Sequence, residues 1–168
     1  PDKVCMHAAP EEDREWQATG AMVTDSSADG IVVWMTGTSC TDLSIFKPLF
    51  FGVETPDVGP APLGTYTEGA LWWRHERLHR RTMADYAALK PGIRADFDAL
   101  ESQFFAAAPA LKKAGKAQQA AFVEDCWRQA EDVTSAWIER LEKRNYFLQN
   151  TAYRAMWDRF NREASFPI

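Results

Sequence analysis

The sequence lacks the features that mark several large classes of protein. It has three cysteines, an odd number at wide spacing and without a C-x-x-C pair, which disfavours a disulfide framework and a thiolate zinc site and fits a reducing cytoplasm. No apolar run approaches the ~20 residues that cross a bilayer, and the first residues, Pro1-Asp2-Lys3, do not lead into a signal-peptide core. We therefore expect a soluble, cytoplasmic protein with no membrane partner.

The chain also has fewer basic residues than acidic ones. The chain has 19 Lys and Arg against 24 Asp and Glu, a net charge of −5, and its basic residues are interleaved with acidic ones, so nucleic acid is a poor partner. Its 168 residues, 46% of them hydrophobic, can bury the core of one ordinary domain. Because no initiator Met is present, we expect a processed or truncated product.

The first part of the chain, residues 1–67, has the pattern of short strands. Pro, Gly and Asp punctuate runs of β-branched and aromatic residues, which predicts strands near residues 3–8, 19–25, 31–36 and 44–51. The Ala28-Asp29-Gly30 turn predicts a hairpin between the second and third. The third strand is apolar without alternation, so we expect it to be covered on both faces.

Residues 68–168 have helical periodicity instead. Apolar residues recur every three to four positions, and we expect a first helix from about residue 70 that ends at Lys90-Pro91-Gly92, because proline and glycine stop helices. Three more helices are predicted near residues 91–107, 116–143 and 146–163, with a break between Pro109 and Gly115. The chain is thus predicted to be α+β, with a helical extension after its strands.

The most conspicuous motif is His75-Glu76-Arg77-Leu78-His79, which matches H-E-x-x-H. On a helix this spacing brings two imidazoles to one zinc ion and places Glu76 as the base that activates water. Glu101, on the next predicted helix, could be a third ligand. The alternative is that both histidines pack or hydrogen-bond without metal, while Glu76 pairs with Arg80 on an exposed face.

Weaker signals point to other chemistry. A free N-terminal proline such as Pro1 can act as a base when its amine pKa is lowered. Cys5 and His7 lie two apart on a predicted strand and share a face, as a thiol–imidazole pair would need. The loop Thr36-Gly37-Thr38-Ser39 could line a pocket, although a polar turn explains it equally well. Trp127 and Trp137, on the third helix, could dock a partner.

Read in order, several blocks resemble a known family. They are Val4-Cys5-Met6-His7, Thr19 to Val23, Trp34-Met35-Thr36-Gly37-Thr38, Ser44 to Phe51, and Leu71-Trp72-Trp73-Arg74-His75-Glu76. Their order and spacing are similar to the C-terminal part of the secernins and of related bacterial dipeptidases of peptidase family C69.

This resemblance implies an N-terminal-nucleophile hydrolase with a four-layer αββα sandwich. In that family a cysteine at the mature N-terminus attacks an amide and its own α-amino group is the base. The resemblance places this chain after the nucleophile, so residues 1–67 would supply late strands of the sandwich and residues 68–168 a helical C-terminal extension. It transfers no catalytic residue; His7, Thr36 and Thr38 are the candidates for lining a pocket.

The expected partners follow from the resemblance: the missing N-terminal part of the same protein, a dipeptide or other small amide as substrate, and a possible second copy of the chain. No cofactor or metal is implied, and His75, His79 and Glu101 are kept only as the alternative zinc ligands. A non-enzymatic role, as in the secernins linked to secretion, stays open.

Overall fold

A computed structural model describes residues 6–10, 14–144 and 151–168, with the side chain of Thr151 left aside. The fold is α+β. Three antiparallel strands form one sheet in the order β1-β2-β3, and helices follow them along the chain. The strands are β1 (Met22–Ser27), β2 (Gly30–Met35) and β3 (Lys47–Phe50); the helices are α1 (Leu71–Thr82), α2 (Tyr86–Leu111), α3 (Lys116–Glu142) and α4 (Thr151–Glu163).

The predicted hairpin is confirmed. β1 and β2 pair from Met22 opposite Met35 to Ser27 opposite Gly30, which leaves a two-residue turn. Gly30 has φ of 135°, a value that residues with a Cβ rarely adopt. Of the first predicted strand, residues 3–5 lie outside the described residues and residues 6–8 form no strand. Instead Ala9 makes an isolated bridge with Arg14, because Pro10 follows and has no N–H to extend a ladder.

The expectation that residues 31–36 are covered on both faces is wrong. In β2 burial alternates: Val32 and Trp34 are buried, whereas Ile31 is 38% exposed. Val32 and Trp34 lie opposite Phe50 and Pro48 of β3, on the face that packs against the helices. An unbroken apolar run cannot reveal from sequence alone whether one layer or two lies against it.

The other face of the sheet is mostly apolar and is exposed towards its β1 edge, whereas Lys47 at its β3 edge is buried. Register places Met22, Met35 and Lys47 side by side on it, with Val33 opposite Leu49, since directly opposed residues point to the same face. Met22 is 65% exposed, and all six residues of the edge strand β1 are exposed. Isolated sheets rarely leave such a face and edge uncovered.

The predicted stop at Lys90-Pro91-Gly92 is wrong. The first helix ends at Thr82, and a 3₁₀ turn (Met83–Asp85) leads into α2, which continues through both Pro91 and Pro109. The backbone leaves helical geometry at Asp85, with φ −153° and ψ 63°, so the break precedes the proline. Gly92 instead allows close packing, since a Cβ there would lie 3.3 Å from the Trp137 ring.

The third predicted helix is confirmed by α3, which begins directly after Gly115. The fourth is confirmed over Thr151–Glu163, and the first residues predicted for it, up to residue 150, lie outside the described part. Within the described residues no helix combines the length and the apolar character that a membrane crossing needs.

One core joins the sheet to α2 and α3. It contains Val32, Trp34 and Phe50 from the sheet and Phe97 and Val123 from the helices. Phe97 has no exposed surface, and truncating such a side chain to alanine costs about 3–5 kcal/mol. Trp127 and Trp137 also belong to this core, and their indole N–H groups donate to Pro48 O at 3.2 Å and Asp96 Oδ2 at 2.9 Å. Partner docking by either ring would require the core to open.

Candidate functional site

The loop that joins β2 to β3 is packed against α1 and is unusually polar for a buried segment. Four of its hydroxyl residues are almost fully buried: Thr36, Thr38, Ser39 and Ser44. Cys40 lies in the left-handed region, with φ 51° and ψ 62°, which is uncommon for any residue except glycine. Buried hydroxyl groups need partners. The loop itself supplies most of them, and α1 supplies Glu76 for Ser39 and His75 for Ser44.

Glu76 is the centre of that network. Its carboxylate, with no exposed surface, accepts hydrogen bonds from Ser39 Oγ and from Arg80 Nε at 2.9 Å, and lies 3.2 Å from Nδ1 of His79. Burial alone would raise the pKa of Glu76, but the charges and hydrogen bonds of these neighbours outweigh it and hold the pKa at about 2. Glu76 is therefore a permanent anion, paired inside the fold and not on an exposed face as expected.

His75 is on the other side of the same helix turn. Its Nε2 lies 3.2 Å from Ser44 Oγ, which in turn accepts a hydrogen bond from Thr38 Oγ1 at 2.8 Å. Burial lowers the pKa of His75 to about 3, so the ring is neutral. A serine beside an imidazole can be a nucleophile with its base, but a base of such low pKa takes up a proton poorly. The pair holds the loop on α1.

The zinc ligands considered from the sequence do not converge. Glu101 accepts hydrogen bonds from the backbone N–H of Phe46 at 2.7 Å and from Arg94 at 3.0 Å. His75 and His79 use ring nitrogens on Ser44 and Glu76. Within the described residues, His75, His79 and Glu101 belong to no cluster of three or more side chains that could bind one metal ion.

A cavity of about 240 Å³ lies beside this network. Residues from the loop, the sheet and the helices line it, among them Thr38, Lys47, Arg74, His75, Trp127 and Glu131. Thr38, Lys47 and His75 are each at most 5% exposed, so they form its deep part. Of the residues considered for pocket lining, Thr38 lies on this cavity. Thr36 is not among the lining residues, but its carbonyl accepts a hydrogen bond from Lys47 Nζ at 2.7 Å.

Lys47 is a buried cation within the sheet. Its Nζ also donates to the carbonyl of Ile45 at 2.9 Å and lies 5.0 Å from the centre of the Trp127 ring, a cation–π distance. Burial lowers the pKa of Lys47 to about 8, and the charges of Glu131 and Glu101 only partly offset it. A lysine with this pKa is a recognised sign of a functional site.

A second polar cluster surrounds Asp42. His7 Nε2 lies 3.4 Å from its Oδ2, Cys40 Sγ lies 3.3 Å from its Oδ1, and Lys90 Nζ lies 2.8 Å from its Oδ2; Tyr86 OH donates to the same oxygen. Burial would raise the pKa of Asp42, but the hydrogen bonds from His7, Lys90 and Tyr86 hold it well below its usual range. His7 therefore lies in this cluster and is not among the residues that line the cavity.

The chemistry of this cluster is limited by its arrangement. The ligand atoms of His7, Cys40 and Asp42 all lie within 4.8 Å of one another, a combination that zinc can accept. However, Lys90 already supplies the positive charge that a metal ion would bring. In a cysteine hydrolase the imidazole lies between thiol and carboxylate, whereas here the carboxylate lies between the other two. The cluster clamps the 40–42 turn to α2.

Compared with family models, with curated proteins and with solved structures, the chain matches none of them.

Sequence reasoning missed Lys47 and Asp42. Lys47 had a readable signal, since it is the only charge in the apolar run Ile45-Phe46-Lys47-Pro48-Leu49-Phe50, and a lone charge inside a strand must either turn outward or find buried partners. Asp42 had none, because three of its partners, His7, Tyr86 and Lys90, lie 35 to 48 residues away in the chain. Pro1 and Cys5 lie outside the described residues, so the pairing of Cys5 with His7 stays a prediction.

Proposed function

We propose that this chain is the C-terminal part of a peptidase C69-like cysteine amide hydrolase, a dipeptidase, and forms one sheet and its helical layer in an αββα sandwich. The cysteine nucleophile comes from another part of the same protein. Of the described cysteines, Cys126 is buried with a pKa raised to about 12 by burial and by Asp125, and Cys40 is buried with its Sγ 3.3 Å from the Asp42 carboxylate. Neither is a suitable nucleophile.

The observation that carries the proposal is the incompletely covered sheet. Val32 and Trp34 pack against the helices, whereas Met22 and Ile31, towards the β1 edge of the opposite face, are 65% and 38% exposed. Lys47, at the β3 edge of that face, is buried against Trp127 of α3. Half of an αββα sandwich has this form: helices outside, and an apolar inner face that requires a second sheet. The cavity lined by Lys47 and His75 supports the proposal, because it could form part of the binding pocket for a small amide substrate.

The proposal includes a cytoplasmic location, supported by the buried free thiol of Cys126, since free thiols persist most readily in a reducing compartment. A non-enzymatic secernin-like protein, or a dimer in which two copies cover each other's sheets, would use the same open face. The experiments below separate these possibilities.

The first experiment measures chemistry. The product of the complete gene is incubated with a panel of dipeptides, and free amino acids are quantified before and after alkylation with iodoacetamide. We expect dipeptide hydrolysis that alkylation abolishes and that EDTA leaves intact. Lack of hydrolysis would support the non-enzymatic alternative, and hydrolysis that survives alkylation would refute a cysteine mechanism.

The second experiment tests the sheet. Cysteine is introduced at Met22, on the open face, or at Ser102, on the exposed surface of α2, and labelling with a maleimide is timed in the 168-residue chain and in the complete gene product. We expect the Met22 site to react in the chain and to be protected in the complete product, while the Ser102 site reacts in both. Equal reactivity of the Met22 site in the two proteins would overturn the sandwich. Protection that appears in the isolated chain and depends on its concentration would favour self-association.

A further inference from the structure

Lys47 differs from the other buried cations of the protein. Arg80, 4% exposed, is paired with Glu76, and the Lys112 side chain, 6% exposed, is paired with Asp25 at 2.8 Å. Lys47 is 5% exposed, yet in the described part of the chain it forms no ion pair with any carboxylate. Glu131 and Glu101 act on it without direct contact and only partly offset its burial. A buried charge without a directly paired counter-ion is costly to keep, so its retention calls for an explanation.

The hydrogen bonds of Lys47 are also incomplete. An ammonium group has three N–H donors, and the described residues supply two acceptors, the carbonyls of Thr36 and Ile45. The third donor has no acceptor among them, and Lys47 lines the cavity together with the neutral ring of His75. The cation–π contact with Trp127 stabilises the charge but accepts no conventional hydrogen bond.

The outer part of the cavity carries negative charge. Asp57 and Glu124 line it, are exposed and form no ion pair with any described residue, whereas Arg74 and Arg128 are already paired with Glu131 and Asp132. The cavity therefore has an unpaired cation at its buried end and unpaired carboxylates at its exposed end. A ligand with a carboxylate at one end and an ammonium at the other matches this distribution.

We propose that Lys47 anchors the carboxylate of a small zwitterionic ligand, a dipeptide or an amino acid, whose ammonium group faces Asp57 and Glu124. The cavity volume of about 240 Å³ leaves room for a ligand of this size. The choice of a dipeptide rests on the proposed function, whereas the carboxylate site stands on the cavity alone.

The test uses the 168-residue chain and NMR signals of the lysine side chains. Glycylglycine, glycylglycinamide and acetate are titrated separately, because the second lacks the carboxylate and the third lacks the ammonium. We expect glycylglycine to shift the Lys47 signals and to bind at least about tenfold more tightly than glycylglycinamide, a difference of 1.4 kcal/mol. Acetate should shift the same signals more weakly.

Lys47→Met should lose glycylglycine binding by at least about tenfold, whereas Lys113→Met, at an exposed lysine, should bind like the wild type. If Lys47→Met does not fold, the three wild-type titrations still decide the question. Equal binding of glycylglycine and its amide would overturn the carboxylate anchor, as would unchanged Lys47 signals with all three ligands. Shifts with acetate but not with glycylglycine would overturn the dipeptide and keep the carboxylate site. None of these results depends on hydrolysis by the complete gene product, so the proposed function is tested separately.

Discussion

Arg80 donates through Nε to the Glu76 carboxylate at 2.9 Å, one helical turn away, and the two side chains are 4% and 0% exposed. The glutamate of the H-E-x-x-H motif is therefore the counter-ion of a buried arginine. A general base must be able to take up a proton near the working pH, and this carboxylate is held charged by its neighbours. The motif stabilises the contact between α1 and the 36–44 loop.

Glu76→Gln should lower the free energy of unfolding at pH 7 by about 3–5 kcal/mol, because Arg80 would remain buried without its counter-ion. Glu142→Gln is the matched control, since Glu142 pairs with Arg77 on the surface at 3.1 Å and such pairs contribute at most about 1 kcal/mol. Urea unfolding of both variants measures the difference. Similar losses in the two would contradict the central role of Glu76.

The same substitution should change the response to acid. The pKa of Glu76 is lowered from 4.5 in the unfolded chain to about 2 in the folded one. Its contribution to stability is therefore complete above pH 4.5 and is lost as the pH falls towards 2, by about 3 kcal/mol in all. Glu76→Gln should show a flatter dependence of stability on pH in this window. An unchanged slope would mean that the Glu76 pKa is not lowered.

His75 should stay neutral throughout the physiological range. Burial lowers its pKa to about 3 from 6.5, so its stabilising contribution is complete above pH 6.5 and declines as the pH falls towards 3. We expect the Cε1–H resonance of His75 to show no titration between pH 8 and 5 in the folded protein, and to titrate near 6.5 in urea. A midpoint above pH 5 in the folded state would contradict the burial of the ring.

The secondary structure that local sequence determines was predicted well. The hairpin followed from the two-residue turn before Gly30, and α3 from Gly115 and a continuous apolar stripe. Pro91 misled the prediction because helix ends depend on backbone geometry as well as residue type, and Asp85 had already broken the helix five residues before Lys90.

Less of the candidate site could be predicted from the sequence. His75 and Glu76 were noticed for their motif, but their partners Ser44 and Ser39 lie 31 and 37 residues earlier in the chain. From a single sequence, contacts between distant residues can be predicted only where a periodic pattern shows which face of an element is buried. Polar side chains in a loop have no such pattern. The burial of Lys47 likewise depends on the approach of α3 to the end of the sheet.

Zinc should not stabilise the folded chain. His75 Nε2 and His79 Nδ1 each lie 3.2 Å from a partner, Ser44 and Glu76, and both side chains are buried, so zinc would have to disturb this network to reach them. We expect the melting temperature to stay the same with one equivalent of zinc or with excess EDTA, since a ligand that binds the native state raises it. A rise with zinc that His79→Gln abolishes would revive the metallohydrolase interpretation.

Gly92→Ala tests the close approach of α2 and α3. In an exposed helix interior alanine is favoured over glycine by about 1 kcal/mol, but here the added Cβ would lie 3.3 Å from the Trp137 ring. That ring cannot move easily, because its N–H donates to Asp96 at 2.9 Å and Arg140 lies 4.2 Å from its centre. Overpacking costs about 1–3 kcal/mol, so we expect a net loss of about 1 kcal/mol.

Trp137→Phe supplies the second half of this experiment. A smaller ring leaves room for the methyl group, so the helix preference of alanine should dominate and Gly92→Ala should stabilise the Trp137→Phe protein. A double-mutant cycle by urea denaturation isolates the coupling between the two positions. If Gly92→Ala has the same effect in both backgrounds, the glycine does not serve helix packing, and its position after Pro91 needs another explanation.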